Sequence, residues 1–317
     1  MSLLSTKHLV SLRDVTAEDV DKIFAKADEY KMLLEKGEPH FHLQGRTLCL
    51  IWEKPSLRTR VSYTVAMHQL GGGVVTLQSY PDSSVADVHL KESDFDTVKT
   101  LSMYVDAIVA RTFSHTKIEN MAELSSKPVI NGLSNYLHPV KILGDLYAVR
   151  IITDSDLKGF NFVYIGDGGW NTSQSLLLGC AKVGANLTMA CPKKSKYRPA
   201  DELWKAALAD AERSGSKLKV VDDPVKAVED ADAIYAETWI PMGREDEKEE
   251  RLADFQGYQV NRELMSHAKR DPLIMHPLPR TPMEMTDEVA YSPKAIMFDQ
   301  ASLKLHVEKA LLYLLIN

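Results

Sequence analysis

Along most of the chain, short unbroken apolar runs alternate with longer stretches whose apolar residues recur every three or four positions. The runs read as strands buried on both faces, the stretches as helices with one face on a core. "VTAEDVDKIFAKADEYKMLLEKG" has the helical period, with Thr16 placed to cap it, Asp19 three residues on and Gly37 to stop it. "RTLCLIWEK" (46–54) predicts a buried strand and "LRTRVSYTVAMHQLGG" a helix closed by glycines. "GVVTLQS", "DAIVARTF" and "KPVINGLS" predict further strands, separated by helices in "DFDTVKTLSMYV" and "KIENMAELS". "HPVKILGDLYAVRIITDSD" reads as a long helix beginning just after Pro139 and leading out of the first half.

The pattern then starts again. "KGFNFVYIGDGG" is expected as a strand, "WNTSQSLLLGCAKVG" as a helix, "ANLTMACP" as a strand and "ADELWKAALADAERSG" as a helix. "KLKVVDD", "VKAVEDA" and "DAIYAETW" follow as strand, helix and strand; "PLIMHPLP" and "AIMFDQ" are expected strands before a closing helix, "LHVEKALLYLL". Such alternation predicts an α/β protein with two doubly wound domains and mainly parallel sheets. The expected divisions are 1–145, 146–300 and a C-terminal helix, 301–317, packing back on the first domain.

With 317 residues, the chain is long enough for two domains that each bury a core. Its net charge of −6, with the signs mixed along the chain, argues against a nucleic-acid partner. Cys49, Cys180 and Cys191 lack metal-ligand spacing, and an odd count gives no disulfide framework, so a reducing cytoplasm is expected. "MSLLSTKHLVSLRDV" lacks the apolar core of a signal peptide, and "ALLYLLI" is far shorter than the roughly 20 residues that span a bilayer. No membrane partner is therefore expected.

Candidate chemistry begins where the first strand ends, at "EKPSLRTR" (53–60). A helix N-terminus carries unpaired N–H groups and partial positive charge, and a strand-to-helix turn aims them at the crevice where α/β sheets bind ligands. Ser56 and Thr59 add hydroxyl donors, and Arg58 or Arg60 adds a fork suited to phosphate oxygens. An ordinary capped helix with solvated arginines would have the same composition. Arg111 again follows an apolar run, and His138 stands just before a helix, where it is either a carbonyl donor, a proton carrier or a structural residue.

Together these residues resemble the aspartate/ornithine transcarbamylase family over nearly the whole chain. "SLRTR" (Ser56 to Arg60) is similar to the family's Ser-Thr-Arg-Thr-Arg; His138-Pro139 matches its His-Pro helix start; "IGDGGWN", "ETWIPMGREDEKEERLADFQGYQVN", "MHPLPR" and "DEVAYSP" resemble later motifs, closest to the ornithine branch. The resemblance implies a carbamoyltransferase that moves a carbamoyl group from carbamoyl phosphate to the amine of an amino acid or diamine. Ornithine, giving citrulline, is the default acceptor, and no metal or organic cofactor is implied. Ser56, Leu57, Arg58, Thr59, Arg111, His138, Lys141 and Lys304 would bind carbamoyl phosphate, with Arg58, Thr59, Arg111 and His138 catalytic. Asn171, Glu237, Met242, Gly243, Pro277 and Leu278 would meet the acceptor. The family also implies a homotrimer in which a neighbour's loop completes each site, here around "DVHLKES" with Lys91, which is otherwise a solvated surface lysine.

Several positions depart from the pattern. Leu57 replaces a threonine, Lys141 a glutamine, Pro277 a cysteine, Pro241 a serine, Glu237 an aspartate and Lys304 an arginine, while Trp170 intrudes into the Gly-Asp-x-x-Asn turn. An ammonium at 141 only donates, whereas an amide also accepts, so Lys141 suits a carboxylate or phosphate oxygen. These departures leave open a divergent paralogue with another acceptor or acyl phosphate, or a non-catalytic metabolite-binding relative; citrulline formation separates these from the default. A nicotinamide-dependent oxidoreductase is disfavoured, because "YIGDGG" lacks G-x-G-x-x-G and the next strand ends without an acid for a ribose.

Overall fold

The computed structural model describes residues 2–78, 92–241 and 243–317. Helix α1 (Ala17–Glu35) starts where its capping box requires: the Thr16 hydroxyl accepts from the Asp19 N–H at 3.1 Å, and the Asp19 carboxylate accepts from the Thr16 N–H at 3.0 Å. It buries Val20, Ile23, Phe24, Ala27 and Tyr30 and ends before Gly37, whose φ of +68° costs a glycine nothing.

Next come β1 (Thr47–Trp52), α2 (Arg58–Gln69), β2 (Gly73–Gln78), α3 (Asp94–Tyr104), β3 (Ala107–Arg111), α4 (His115–Leu124), β4 (Val129–Leu133) and α5 (Pro139–Thr153). The sheet order is β2-β1-β3-β4, with every pair parallel. Right-handed crossovers therefore put α2 on one face and α3 with α4 on the other. Cys49, Ile51, Ile108 and Ala110 point from β1 and β3 into a core shared with Val98, Ile118 and Met121 of α3 and α4. Leu48, Leu50 and Trp52 are buried on the opposite face, which is why β1 reads as a continuous apolar run.

The second series is β5 (Asn161–Ile165), α6 (Asn171–Val183), β6 (Asn186–Ala190), α7 (Asp201–Ser214), β7 (Leu218–Val221), α8 (Pro224–Val228), β8 (Ala233–Ala236), α9 (Lys248–Asp254), α10 (Arg262–Met265), β9 (Leu273–Met275), α11 (Asp287–Ala290) and α12 (Met297–Ile316). Its sheet, β7-β6-β5-β8-β9, is also parallel throughout. The short helices α9, α10 and α11 have no counterpart in the sequence reading.

"AIMFDQ" is not a strand. Ala295 makes a single bridge to Ile274, the Ile296 N–H reaches the Ile274 carbonyl at 2.9 Å, and the Gln300 N–H then bonds the Ile296 carbonyl at 2.8 Å. The run is thus divided between a sheet edge and the first turn of α12, a split that a short apolar run does not reveal.

The chain forms two compact units, Met1–Ile151 with Ala301–Asn317, and Ile152–Gln300. From Ala301 on, the last helix belongs to the first: Lys304 bonds Ser62, and the Leu3 N–H bonds the Leu314 carbonyl at 2.8 Å. Among the described residues no helix is long and apolar enough to cross a membrane.

Candidate active site

In the order β2-β1-β3-β4, the chain leaves β1 for a neighbour on one side and reaches the other side only with β3. Ligands of open α/β sheets bind outside the carboxyl ends of strands at such a reversal. Register places Trp52, the last residue of β1, beside Arg111, the last of β3. From β1 the chain passes through Ser56 and Leu57 into α2, which opens at Arg58. The N-cap residue, Leu57, has no side chain that can cap, and no acid lies in the first turn, so the positive end is not offset from within the helix. Thr59 is buried, Ser56 and Arg58 are half-buried, and Leu57 is 74% exposed. Burial holds the Arg58 guanidinium below its ordinary pKa.

Arg111 sits at an irregularity. Ala110 pairs with Asn131 but Arg111 pairs with Leu133, so Gly132 is an extra residue on β4. Bulges of this kind re-aim a side chain at a strand end. The turn after β4 is tied down before it reaches His138: the Ser134 hydroxyl accepts from the Tyr136 and Leu137 N–H groups at 3.2 and 3.0 Å, and the Asn131 amide donates to the Leu137 and Val10 carbonyls. His138 is only 9% exposed. Burial, followed by the charges of Arg111, Lys304 and Lys141, holds its pKa well below the ordinary histidine value. Arg111, Lys141, Lys304 and His138 are therefore close enough to interact electrostatically, and the downward shift favours the neutral imidazole, which donates through one nitrogen.

Both lysines that depart from the family pattern have buried carboxylate partners one helical turn away. Lys141 Nζ lies 2.6 and 2.7 Å from the two oxygens of Asp145 on α5. Lys304 on α12 pairs with Glu308 and donates to the Ser62 hydroxyl of α2 at 3.0 Å. Asp145 and Glu308 are both fully buried. The two helices approach closely because residue 144 is glycine: a Cβ there would lie 2.9 Å from the Lys304 Cβ.

The second sheet reverses between β5 and β8, and predicted acceptor residues gather there. Asn171 opens α6 and is buried; Glu237 directly follows β8 and is also buried, its Oε1 accepting from the Thr238 N–H at 2.9 Å. In the turn after β5, Asp167 accepts from the Gly169 N–H at 2.9 Å, and Trp170 takes the N-cap position. Arg251 of α9, which the sequence reading passed over, is 2% exposed and bonds both the Asp167 carboxylate and the Trp239 carbonyl. It thereby ties the β5 turn to the segment leading to Gly243, whose N–H donates to Glu245. Burial raises the Asp167 pKa despite the opposing Arg251 contact. Pro277 and Leu278 are half-buried after β9, beside a His276–Glu284 contact of 3.5 Å. Met242 and Lys91 lie outside the described residues.

Arg111 thus ends a strand at the switch point of the first sheet, and Asn171 and Glu237 follow the two strands that flank that of the second, while Pro277 and Leu278 follow its edge strand. Residues 7–150 match the family model described as the aspartate/ornithine carbamoyltransferase carbamoyl-P binding domain, and residues 158–315 match the Asp/Orn binding domain of the same family. The chain is 45% identical to an ornithine carbamoyltransferase of Bacillus subtilis, over 96% of this chain and 92% of that protein. It is 42% identical to an anabolic ornithine carbamoyltransferase of Pyrococcus furiosus, over 99% and 98%. Among solved structures, ornithine carbamoyltransferase from Pyrococcus furiosus superposes with a TM-score of 0.92 at 41% identity, covering 100% of this chain and 98% of that one. The ornithine transcarbamoylase structure from Giardia lamblia gives 0.87 at 26% identity, with 99% of both chains covered. With both domain models matched in order along nearly its full length, the chain belongs to the aspartate/ornithine carbamoyltransferase family.

Proposed function

We propose that this protein is an ornithine carbamoyltransferase, transferring the carbamoyl group of carbamoyl phosphate to ornithine to give citrulline. The observation that carries the reading is that β1, which leads into the Ser56–Thr59 turn, ends beside Arg111 at the switch point of the unit that matches the carbamoyl-P binding domain, with the Arg111 charge acting on buried His138. The α2 N-terminus, the Ser56 and Thr59 hydroxyls and the guanidinium groups of Arg58 and Arg111 supply donors to a phosphate dianion. Arg111, Thr59 and neutral His138 supply donors to the carbonyl oxygen.

In the reaction a neutral acceptor amine forms a C–N bond with the carbonyl carbon, and negative charge grows on the carbonyl oxygen in the tetrahedral intermediate. The bond from that carbon to the phosphate oxygen then breaks, and the departing phosphate takes up the electron pair and the proton lost by the amine. Donors already in place stabilise both without reorganisation, which is the largest contribution such a site makes. Asn171, Glu237, the Met242-Gly243 segment, Pro277 and Leu278 would hold the acceptor; a buried acid such as Glu237 suits an ammonium group. Lys141 and Lys304 would act on carbamoyl phosphate chiefly through the positive potential around His138, since their ammonium groups also serve Asp145 and Glu308.

A homotrimer with shared sites, completed by the loop that contains Lys91, is part of the same reading. Support comes from exposed apolar side chains on the first unit: Leu57 beside α2, Val61 on α2, Val75 on β2, and Phe95, Met103 and Tyr104 on α3. A cytoplasmic location accords with three buried, unpaired cysteines.

The test is turnover. Purified protein with carbamoyl phosphate is offered ornithine, putrescine, aspartate and acetylated ornithine, and ureido product is measured. Citrulline from ornithine, abolished by Arg58→Ala, is the expected result. Absence of citrulline, or full activity in the Arg58→Ala protein, contradicts the reading.

A further inference from the structure

We infer that Glu53 is a positioning residue that fastens the two phosphate-holding turns of the first sheet to each other. The inference rests on the carbamoyl-phosphate site proposed above and adds a residue that the reading does not use. Glu53 is the first residue after β1. Its N–H donates to the Arg111 carbonyl at 2.9 Å, carrying the ladder one step past the Trp52–Arg111 pair. Its carboxylate then crosses to the other turn: Oε2 accepts from the Phe113 N–H at 3.0 Å, and Oε1 meets Lys117 Nζ of α4 at 2.5 Å. The side chain is only 12% exposed. The next residue adds a further contact across the same gap, with Lys54 Nζ 4.3 Å from the centre of the Phe113 ring. The chain just before Ser56 is thus bonded to the residues on either side of Thr112, and to α4.

A carboxylate at the rim of an anion site opposes the ligand electrostatically, so its place needs a compensating reason. Here both oxygens have donors on the β3–α4 segment, and the Lys117 ammonium offsets the charge. Lys117 also lies 3.8 Å from Asp94 at the start of α3, so it serves two acids. The β1–β3 ladder ends at the Trp52–Arg111 pair, and the Glu53 contacts carry the link between the two turns past that end, on the way to Arg58. Two guanidinium groups on separate turns grip one phosphate only at the right separation, and small misplacements cost large factors.

Three variants of the full chain test this: Glu53→Ala, which removes both side-chain contacts; Glu53→Gln, which keeps an acceptor for Phe113 but loses the ion pair; and Lys117→Met, which removes the partner cation. The readouts are the Kd for inorganic phosphate by calorimetry and the KM values for carbamoyl phosphate and ornithine. Glu53→Ala is expected to weaken phosphate binding and raise the carbamoyl phosphate KM by roughly tenfold to a hundredfold, the effect of one charge-assisted hydrogen bond. Glu53→Gln and Lys117→Met should shift the same two constants by a smaller factor, and the ornithine KM should stay within about twofold in all three. Should the alanine variant fail to fold, the other two carry the test on the same readouts. Phosphate affinity within about twofold of the parent in the folded variants overturns the inference alone, as does an equal rise in both KM values. A parent that neither binds phosphate nor forms citrulline overturns the functional reading, and this inference with it.

Discussion

Replacing Lys141 with methionine removes an ammonium group while keeping much of the length of its apolar stem. The partner left behind is Asp145, whose side chain is 0% exposed and receives Lys141 at 2.6 and 2.7 Å; Lys141 itself is 15% exposed. Removing one member of a buried ion pair costs about 3–5 kcal/mol, because the other charge stays desolvated. Asp145→Leu strands a more exposed and flexible ammonium and should cost less, about 1–3 kcal/mol. The double variant leaves no charge behind and should recover most of the loss, since apolar replacement of a whole buried pair is often neutral. The predicted coupling energy is therefore about 2 kcal/mol or more. A two-unit chain need not unfold in one step, so the assay is urea-dependent hydrogen exchange of the α5 amides in the four proteins. If Lys141→Met alone costs less than about 1 kcal/mol, or the coupling is under about 0.5 kcal/mol, Lys141 is not committed to Asp145 and the reasoning fails.

Burial lowers the pKa of His8 and His306 to about 4, and also lowers those of His40 and His138. The unfolded chain binds these protons near 6.5 and the folded chain does not, so stability should fall as the pH drops from 7 to 5. A thermal midpoint that stays constant over that range would contradict this. Gly144→Ala would place a Cβ 2.9 Å from the Lys304 Cβ and 3.2 Å from its Cα, so the α12 backbone must yield. Overpacking of about 1–3 kcal/mol outweighs the helix gain of about 1 kcal/mol, and a lower thermal midpoint is expected; a higher one refutes the contact. Arg251→Met strands buried Asp167 and should destabilise the second unit by about 3–5 kcal/mol. In the variant that remains folded the ornithine KM should rise, with calorimetric phosphate affinity unchanged; a fall in phosphate affinity as well would show that the effect is general.

Much of the architecture was legible because parallel strands are buried on both faces, so β1 and β3 appear as uninterrupted apolar runs. The start of α1 was legible because its capping box lies within four residues of chain. "AIMFDQ" misled for a physical reason: its apolar residues serve a sheet edge and a helix start within a few positions, and period alone cannot divide them. The helices α9, α10 and α11 are short and depend on their surroundings more than on propensity.

At the candidate site, Arg58, Arg111 and His138 could be picked out because each stands at the end of an apolar run or before a helix, where an α/β sheet opens to ligands. The pairs Lys141–Asp145 and Lys304–Glu308 left a local trace as well, a lysine four residues before an acid. The bonds of Glu53 to Phe113 and of Arg251 to Asp167 left none: they join residues far apart in the chain, and only the folded sheet brings them within reach.

The central claim is that a phosphoryl group is gripped where β1 and β3 end. Crystals of the protein soaked in a non-reactive phosphonate mimic of carbamoyl phosphate test it most directly. The predicted result is a phosphonate at the α2 N-terminus, with its oxygens within hydrogen-bonding distance of Arg58, Thr59 and Arg111. A phosphonate bound elsewhere, with Arg58 and Arg111 turned away from an empty turn, would contradict it.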